Sequence, residues 1–425
     1  PSHDQPGPKA GAESAGLGVW AHVSPDQGRN GILKRVLKKG ATMRVLMGKR
    51  WLRAGMAALL LLGAVAVQAE DGVAQKQILI GQTLTLQRGA NDYGVAVSEG
   101  VAAALDQANR AGGVLGRQIV LKTLDDDNQT TLAEVNARRL VAQDKVFLLF
   151  GPIEGGPSTA VMKVAIEQNV PLFGPMAGSP TLRTPHQPLV FPVRAEHKEE
   201  FRALMTQARS LGMQRLAFLR SDSATGELHL ANAQRIAKEL GMELVADMPF
   251  KSDINDQGIA ALVDKLATAR AQMVFNHGGI GVYEKLIRQS QAAGLKLRFY
   301  GVNSGSTQLA NHLGPLGQGM VFAQVLPSPW ERKTGITRAY QDAFARFKPG
   351  QAFSYGSLEG YLTGRALVEA LRLAGPTPTR ASFLTGLRNA ELDIDGIRIN
   401  YRDGDHAGMS LVDLSIVTRE GKFRH

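Results

Sequence analysis

The sequence predicts an α/β fold built from two similar, doubly wound lobes. Short apolar segments with the length of buried strands alternate with segments of helical period, which is typical of parallel sheets covered by helices on both faces. Several helical segments end in glycine, as helices often do. The alternation runs over residues 77–174 and begins again at residue 199, so we expect two sheets rather than one.

The first series begins with a strand, QILIGQTLTL at residues 77–86, and an amphipathic helix, SEGVAAALDQANRAGG at residues 98–113. Its other segments are predicted as strands at 118–125, 145–151 and 170–174 and as helices at 132–143 and 158–168. The second series is predicted as helices at 199–212, 226–241, 259–270 and 284–294 and as strands at 215–221, 242–250, 271–279 and 297–303. In each series a helix can return the chain to the same end of the sheet.

The third block, from about residue 337, is rich in predicted helix. We predict helices at 337–347 and 357–375, followed by a β-hairpin, GIRINYRDGDHAGMSLVDLSIV, at 396–417. Because this block has too few strands for a sheet of its own, we expect it to complete the two lobes.

The basic charge of the chain is concentrated near its N-terminal end. Residues 1–69 hold ten basic and three acidic side chains, and so carry +7 of the formal net charge of +11. The remainder is nearly balanced in charge and lacks the basic surface that binds nucleic acid. We therefore expect no nucleic-acid partner.

Residues 43–69 have the pattern of an export signal. Basic residues between Arg44 and Arg53 precede an apolar stretch at 56–67, and Ala69 ends a small-x-small cleavage sequence. Spanning a bilayer takes about 20 apolar residues, and the apolar stretch at 56–67 is shorter than that. We therefore predict cleavage after Ala69. The alternative is that the segment is retained as a membrane anchor. We expect residues 1–42, rich in Pro, Gly and Ser, to be an over-extended start outside the fold.

The absence of cysteine excludes a lipid-anchored N-terminus, disulfides and thiolate metal sites. Enzyme motifs are also missing at the places where this fold would need them. No predicted strand is followed by the dinucleotide-binding motif G-x-G-x-x-G, and the phosphate-binding motif G-x-x-x-x-G-K-[ST] is not present. The hydrolase motif G-x-S-x-G is not matched either, because neither GVNSG (301–305) nor GSLEG (356–360) has serine at its centre. We expect a protein that is not an enzyme and that uses no cofactor.

Three further patterns have a chemical and a structural interpretation. His277-Gly278-Gly279 is similar to an esterase oxyanion loop, but without a nucleophile elbow a tight turn after a strand is favoured. Carboxylates at 125–127 form either a metal site or, as we favour, a helix cap or a solvated loop. The nine histidines lack metal-binding spacing, so no metal site is predicted.

Two glycine-rich turns follow adjacent strands of the first lobe. FGPIEGGPSTAV (150–161) leads into a helix, and FGPMAGSP (173–180) follows the next strand. A helix N-terminus with free N–H groups suits a carboxylate or another anion, and the small residues Ala177, Gly178 and Ser179 would let a ligand lie against the backbone. The alternative is that both are merely tight turns.

From about Ile78 onward, the chain resembles the periplasmic branched-chain amino-acid binding proteins of ABC transporters, the leucine-binding type. The resemblance lies in the order and spacing of ILIGQTLTL, DYG, SEGVAAALDQANRAGG, VFLLFGPIEGGPSTA, NVPLFGPMAGSPTLR, FPVRAEHKEE, IRQSQAAGLKLRFYG and SLEGYL over roughly 340 residues. It implies the type I periplasmic binding protein fold, in which three crossover strands join two Rossmann-like lobes. The crossovers would lie near Arg194, Gln324 and Leu411. Lobe 1 would then comprise 76–194 and 325–410, and lobe 2 would comprise 195–324 and 411–425.

The resemblance also implies a ligand site in the cleft. In lobe 1, Tyr93 matches a tyrosine at the cleft rim, and Gly155 and Gly156 stand where serines hold a ligand carboxylate. Met176, Ala177 and Gly178 stand where backbone groups and a threonine hydroxyl hold the amino-acid head group, with Ser179 beside them. Glu154, at the cleft mouth, departs from the pattern of the family. It would repel a ligand carboxylate, attract a cation or face solvent.

In lobe 2, Thr225 replaces a tyrosine, Ile280 replaces an aromatic residue, and Asn303 replaces the acidic residue that pairs with the ligand ammonium. An unpaired ammonium is poorly compensated in a closed cleft. The sequence therefore favours an amide, a carboxylic acid or a modified amino acid, with His277 as a possible polar contact.

The resemblance implies a monomeric periplasmic protein that delivers a small polar ligand to an inner-membrane ABC permease. It would not stay inserted in the membrane after signal cleavage. The alternative within the same fold is a ligand-sensing receptor component of a signalling system.

Overall fold

The computed structural model describes residues 70–425 apart from residues 252 and 405, and it confirms an α/β fold of two lobes. The signal peptide predicted at 43–69 and the extension at 1–42 lie outside the described residues.

The first lobe holds a parallel sheet of five strands in the order β2-β1-β3-β4-β5. Its strands are β1 (Gln77–Leu84), β2 (Gln118–Asp125), β3 (Leu149–Phe150), β4 (Leu172–Phe173) and β5 (Val190–Phe191). The helices between them are α1 (Asp92–Arg110), α2 (Thr130–Ala142) and α3 (Gly155–Glu167). Buried apolar clusters cover both faces of this sheet, as the near-continuous apolar strands predict.

The second lobe holds a sheet of seven strands in the order β14-β13-β10-β9-β8-β6-β7. Its strands are β6 (Arg215–Ser221), β7 (Glu243–Phe250), β8 (Met273–Asn276), β9 (Arg298–Gly301), β10 (Val321–Gln324), β13 (Asp413–Val417) and β14 (Phe423–Arg424). Its helices are α4 (His197–Ser210), α5 (Ala224–Glu239), α6 (Asp256–Thr268), α7 (Ile280–Ala292) and α8 (Ser306–Leu313). β13 pairs antiparallel with both β10 and β14 at one edge, and the other neighbours are parallel.

The third block comprises α9 (Gly335–Phe347), α10 (Tyr355–Leu373), α11 (Arg380–Arg388), β11 (Glu391–Ile394) and β12 (Ile397–Asn400). The hairpin predicted at 396–417 is wrong. β12 pairs with β11, while β13 pairs with β10 in the second lobe. The hairpin turn is Asp395-Gly396, where both residues have positive φ (52° and 96°), and Asp-Gly is a favoured pair for such turns.

The chain passes between the two lobes three times, because the third block packs against the core of the first lobe. The first passage follows β5, the second follows β10, and the third joins β12 to β13. Arg194, Gln324 and Leu411 lie in or beside these passages. The carboxyl ends of the parallel strands of both lobes meet the space between the lobes, which is where open α/β sheets bind ligands.

Candidate functional site

A cavity of about 580 Å³ lies between the two lobes. A second hollow of about 500 Å³ adjoins it, and both are lined by Tyr93, Glu154, Phe250 and Gly279. The predicted site residues that line the first cavity are Tyr93, Glu154, Gly155, Gly156, Met176, Ala177, Gly178, Ser179, Thr225 and His277. Ile280 lines the second hollow, and Asn303 lines neither.

The lobe 1 wall offers backbone amides. Gly155 and Gly156 begin α3, so their N–H groups have no helical acceptor. Within the described part of the chain, the amides of Ala177, Gly178 and Ser179 also donate to no other residue. Ala177 is 5% and Ser179 is 1% exposed. Buried N–H groups are almost always paired, so these amides are suited to a ligand oxygen.

The space beside Gly178 is filled by His197, which was not among the predicted site residues. A Cβ built on Gly178 would lie 2.5 Å from His197 Cγ and 2.8 Å from the His197 backbone nitrogen. The His197 amide also donates to the Gly178 carbonyl oxygen over 3.0 Å. Glycine at this position therefore makes room for the first turn of α4, not for a ligand.

Gly155 lies against the other lobe. A Cβ on Gly155 would be 3.2 Å from Thr225 Cγ2, so a side chain here would press on the start of α5. Ile280 begins α7 and contacts the apolar clusters of both lobes. The lobes thus meet through small or apolar groups on either side of the cavity.

The Tyr93 hydroxyl points into a buried network. It donates to Glu359 Oε2 over 3.0 Å, and the residue is 2% exposed. Burial, followed by the charge of Glu359, raises the pKa of Tyr93 well above its ordinary value. Tyr93 therefore offers the cavity its ring, while its hydroxyl is already engaged.

Arg194 is the centre of this network and was not predicted as a site residue. It is 1% exposed, forms ion pairs with Glu200 and Glu359, and donates to Ser304 Oγ over 2.7 Å. Burial alone would raise the pKa of Glu200, but the Arg194 charge, His197 and the Asn303 N–H together outweigh it and hold that pKa below the ordinary value. Burial raises the pKa of Glu359, which Arg194 only partly offsets.

Asn303 belongs to the same network. Its backbone N–H donates to Glu200 Oε2 over 2.7 Å, and its Nδ2 donates to Glu359 Oε2 over 2.9 Å. Asn303 is 1% exposed, so its side chain lies behind the cavity wall.

Three imidazoles gather on the lobe 2 wall. The ring centroids of His229 and His277 are 4.3 Å apart, and that of His197 is 5.2 Å from His229. Burial lowers the pKa of all three, and that of His277 falls to about 3. All three are therefore neutral near pH 7, and no group of side chains among the described residues is arranged to hold a metal ion. Sequence spacing gave no signal for this cluster, because its members come from three separate segments.

The His197 and His277 rings have defined partners. His197 Nδ1 lies 2.8 Å from Glu200 Oε1, and an ionised Glu200 makes this nitrogen the donor. No donor among residues 70–425 that the structure describes reaches His197 Nε2, so this nitrogen can accept a hydrogen bond from a ligand. His277 Nε2 accepts from the Ser221 N–H over 3.2 Å, which leaves its Nδ1 as the donor.

The Asp125 carboxylate organises a loop. It accepts from the amides of Leu86, Gln87, Arg88 and Asp127 over 2.8–3.1 Å. Asp126 is buried and accepts from the hydroxyls of Thr83 and Thr85. Residues 125 and 126 therefore hold a loop together, and the favoured interpretation as a helix cap or a solvated loop is wrong, because neither residue caps a helix and Asp126 is buried.

The comparisons with known proteins agree with this architecture. The periplasmic binding protein family model matches residues 77–421. The chain is 25% identical, over 339 residues, to the Leu/Ile/Val-binding protein homolog 3 of Brucella melitensis, covering 78% of this chain and 90% of that protein.

Two solved structures share the fold. An extracellular ligand-binding receptor from Verminephrobacter eiseniae is 25% identical, with a TM-score of 0.73 over 82% of this chain and all of that one. A possible leucine/isoleucine/valine-binding protein from Rhodopirellula baltica is 22% identical, with a TM-score of 0.76 over 84% of this chain and 98% of that one.

Across the described residues, no helix is both long and apolar enough to cross a bilayer. The relatives are solute-binding proteins rather than enzymes. Fold, cleft position and sequence match together show that the chain belongs to the periplasmic binding protein family.

Proposed function

We propose that the protein is an extracytoplasmic solute-binding protein that captures a small polar organic ligand in the cleft and delivers it to an ABC importer. The observation that carries this proposal is the set of unpaired amides at Gly155, Gly156, Ala177, Gly178 and Ser179 on one cavity wall. A buried N–H without an acceptor costs about 1–3 kcal/mol. A ligand carboxylate or amide oxygen would remove that cost.

The ligand would close the two lobes around itself. Three passages of chain join the lobes, and such connections permit hinge motion. Gly155 and Thr225 already meet across the cleft, so a ligand held by both lobes would favour the closed form that a permease recognises.

A thermal-shift screen tests the proposal. The purified protein is unfolded and refolded to remove co-purified solute, and then heated with amino acids, amides, aromatic acids and short dicarboxylates. Ligand at 100 times its dissociation constant stabilises the folded state by about 2.7 kcal/mol, which shifts the melting temperature visibly. A panel in which no compound shifts the melting temperature contradicts the proposal.

The proposed site of action is the periplasm, reached by cleavage of the signal peptide after Ala69. N-terminal sequencing of the protein from a periplasmic extract should begin at Glu70. Size-exclusion chromatography with light scattering should give the mass of a monomer.

A receptor role in signalling is the second candidate, because the Verminephrobacter relative is described as an extracellular ligand-binding receptor. Deletion of the gene, followed by measurement of ligand uptake and of the transcriptional response, distinguishes the importer role from the receptor role. Loss of ligand uptake supports the importer, whereas normal uptake with a lost transcriptional response to the ligand supports the receptor.

A further inference from the structure

Arg183 is a buried cation behind the cleft wall. It is 8% exposed, although arginine is almost never buried to this extent unless its charge is paired. No carboxylate among the described residues lies within ion-pair distance of its guanidinium. Burial lowers the pKa of Arg183 to about 10, so the side chain still carries its charge at pH 7. The reason for a charge at this position must therefore lie in its hydrogen bonds.

All four hydrogen bonds of this guanidinium go to backbone carbonyl oxygens. Nη1 donates to Ala177 O over 3.3 Å and to Ser179 O over 3.1 Å. Nη2 donates to Arg194 O over 2.8 Å, and Nε donates to Ala407 O over 3.1 Å. The acceptors belong to the loop at 174–180, which we call the ligand loop, and to the first and third passages between the lobes. The side chain therefore joins a wall of the cavity to the hinge.

The contacts behind the ligand loop fix the direction of its amides. In a trans peptide unit, the C=O and N–H groups point in opposite directions. Ala177 O points at Arg183, so the Gly178 N–H of the same peptide unit points away from Arg183. Gly178 O accepts from the His197 N–H, which fixes the Ser179 N–H in the same way. Because the carbonyl oxygens are held from behind, the loop offers these two N–H groups to the cavity that Gly178 and Ser179 line.

The charge and the shape of the Arg183 side chain both contribute. A cation that binds a carbonyl oxygen polarises the peptide unit and makes its N–H a better donor. Lysine would keep the charge, but a single ammonium group cannot replace a planar fork that reaches three segments at once. Substitution by lysine therefore separates the connection between the segments from the presence of a positive charge.

The two passages that Arg183 binds are also bound to each other. The Met409 N–H donates to Val193 O over 2.8 Å. Gly408 has φ 84°, and a Cβ there would lie 2.5 Å from Arg194 O, so glycine lets the passages touch. Arg183 spans this pair of passages and the ligand loop. A change of the hinge angle should therefore move the loop as well.

Arg380 is an arginine of similar bonding without these connections. Its Nε donates to Phe147 O over 2.9 Å, and its Nη2 donates to Val146 O over 2.8 Å. These carbonyl groups precede β3, at the edge of the sheet opposite the cavity. Two carboxylates near 3.8 Å compensate its charge. Arg380 is therefore a matched control for a guanidinium that supports backbone for the fold alone.

We propose that Arg183 is a positioning residue that holds the ligand loop in its binding form and couples it to the hinge. This inference rests on the proposed function, and it adds a residue that does not itself line the cavity. A solute on the loop amides would then act on the angle between the lobes through the Arg183 guanidinium. Without the guanidinium, the loop would lose its support and its connection to two of the three passages.

Distances between the lobes test the inference without any solute. The chain has no cysteine, so Val135→Cys on α2 and Leu211→Cys at the end of α4 place one spin label on each lobe, at exposed positions. Pulsed electron paramagnetic resonance gives the distribution of label distances. Arg183→Lys should widen this distribution about twofold, because the hinge loses a constraint. Arg380→Lys should leave the width unchanged, and equal widths in both variants overturn the inference.

A second pair of variants keeps the test available if Arg183→Lys does not fold. Gly408→Ala would push Arg194 O away from the guanidinium and should also widen the distribution. Gly396→Ala is the control, because Gly396 likewise has positive φ but a Cβ there meets no atom within 4 Å. Equal widths in these two variants also count against the inference.

Hydrogen exchange with a solute shows whether binding reaches the hinge. The probes are leucine, leucinamide, benzoate and glutarate, one from each class of compound in the thermal-shift panel. A probe that binds should slow exchange in the ligand loop and in the passages at 192–196 and 407–411, both in the original protein and in Arg380→Lys. In Arg183→Lys the protection of the passages should be lost, and affinity should fall about tenfold because charge-assisted bonds are lost.

The outcomes separate the inference from the proposed function. If a probe binds and protects the passages equally in Arg183→Lys and in the original protein, the inference fails and the solute-binding function stands. If neither the probes nor the wider panel bind while the distances widen in Arg183→Lys, the solute-binding function fails and the connection between loop and hinge is supported.

Discussion

The imidazole of His197 occupies the place that a side chain at Gly178 would need, with His197 Cγ 2.5 Å from the position of a Cβ. The same glycine receives the His197 amide on its carbonyl oxygen. This contact joins the ligand loop of lobe 1 to the first turn of α4, at the first of the three passages between the lobes.

Gly178→Ala should therefore destabilise the protein. The new Cβ would overlap both the ring and the backbone of His197, and overpacking of a buried site costs about 1–3 kcal/mol. Urea unfolding at pH 7 without ligand measures the change. Gly281→Ala is the matched control, because a Cβ there meets no atom within 4 Å and its φ is not positive. Equal stabilities of the two variants would contradict the contact.

Gly155→Val should weaken ligand binding without loss of stability. The added methyl groups would press on Thr225, which lies 3.2 Å from the first added carbon, and would hold the lobes apart. Titration of a ligand found by the screen should show at least about a tenfold loss, equivalent to about 1.4 kcal/mol. Gly155→Ala should have a smaller effect. In small-angle scattering, the ligand should compact the original protein but not the valine variant.

Glu154→Gly should raise the stability of the protein, because Glu154 has a backbone conformation with φ 63° that glycine adopts without strain. Strained backbone at a functional site costs about 1–3 kcal/mol, and the greater freedom of glycine in the unfolded chain offsets up to about 1 kcal/mol of the gain. We expect a net increase of about 1 kcal/mol in the free energy of unfolding, measured in urea without ligand. A decrease would show that the Glu154 side chain stabilises the fold.

Acid should destabilise the protein through the three imidazoles of the cavity wall. His277 has a folded-state pKa of about 3 against an ordinary 6.5, so between these values the unfolded chain binds more protons and stability falls as the pH falls. His197 and His229 shift in the same direction. In His277→Gln, the free energy of unfolding should fall less steeply between pH 6 and 4 than in the original protein. The difference in slope should correspond to up to about one bound proton. An unchanged slope would contradict a neutral His277.

The regular elements of the sheets could be predicted because their signals are local. The strand at 77–86 and the helix at 357–375 appear at β1 and α10 with small shifts of their ends. The hairpin predicted at 396–417 was wrong because an alternation of apolar and polar residues indicates a strand but not the strand with which it pairs. β12 pairs with β11 across the short Asp395-Gly396 turn, and β13 pairs with β10 in the sheet of the second lobe.

The site was predicted in outline only. The turns at 150–161 and 173–180 do line the cavity, because the carboxyl ends of adjacent strands meet at one edge. His197, His229 and Arg194 were missed, since nothing near them in the chain marks them as partners of the cleft. Asn303 was matched by position alone, and its bond to Glu359, 56 residues away, could not be read from the chain.

By itself the sequence determined the α/β class, the two lobes, the cleft edge and the family resemblance. These depend on periodicity and on the order of elements, which act over a few residues and are preserved along the chain. The tertiary structure decided which groups the ligand would meet. Tyr93 donates to Glu359, 266 residues away, His197 fills the space beside Gly178, and the Glu154 carboxylate accepts no hydrogen bond from the helix that it precedes. Burial and pairing set the charge of each group, and both exist only once distant segments have packed together.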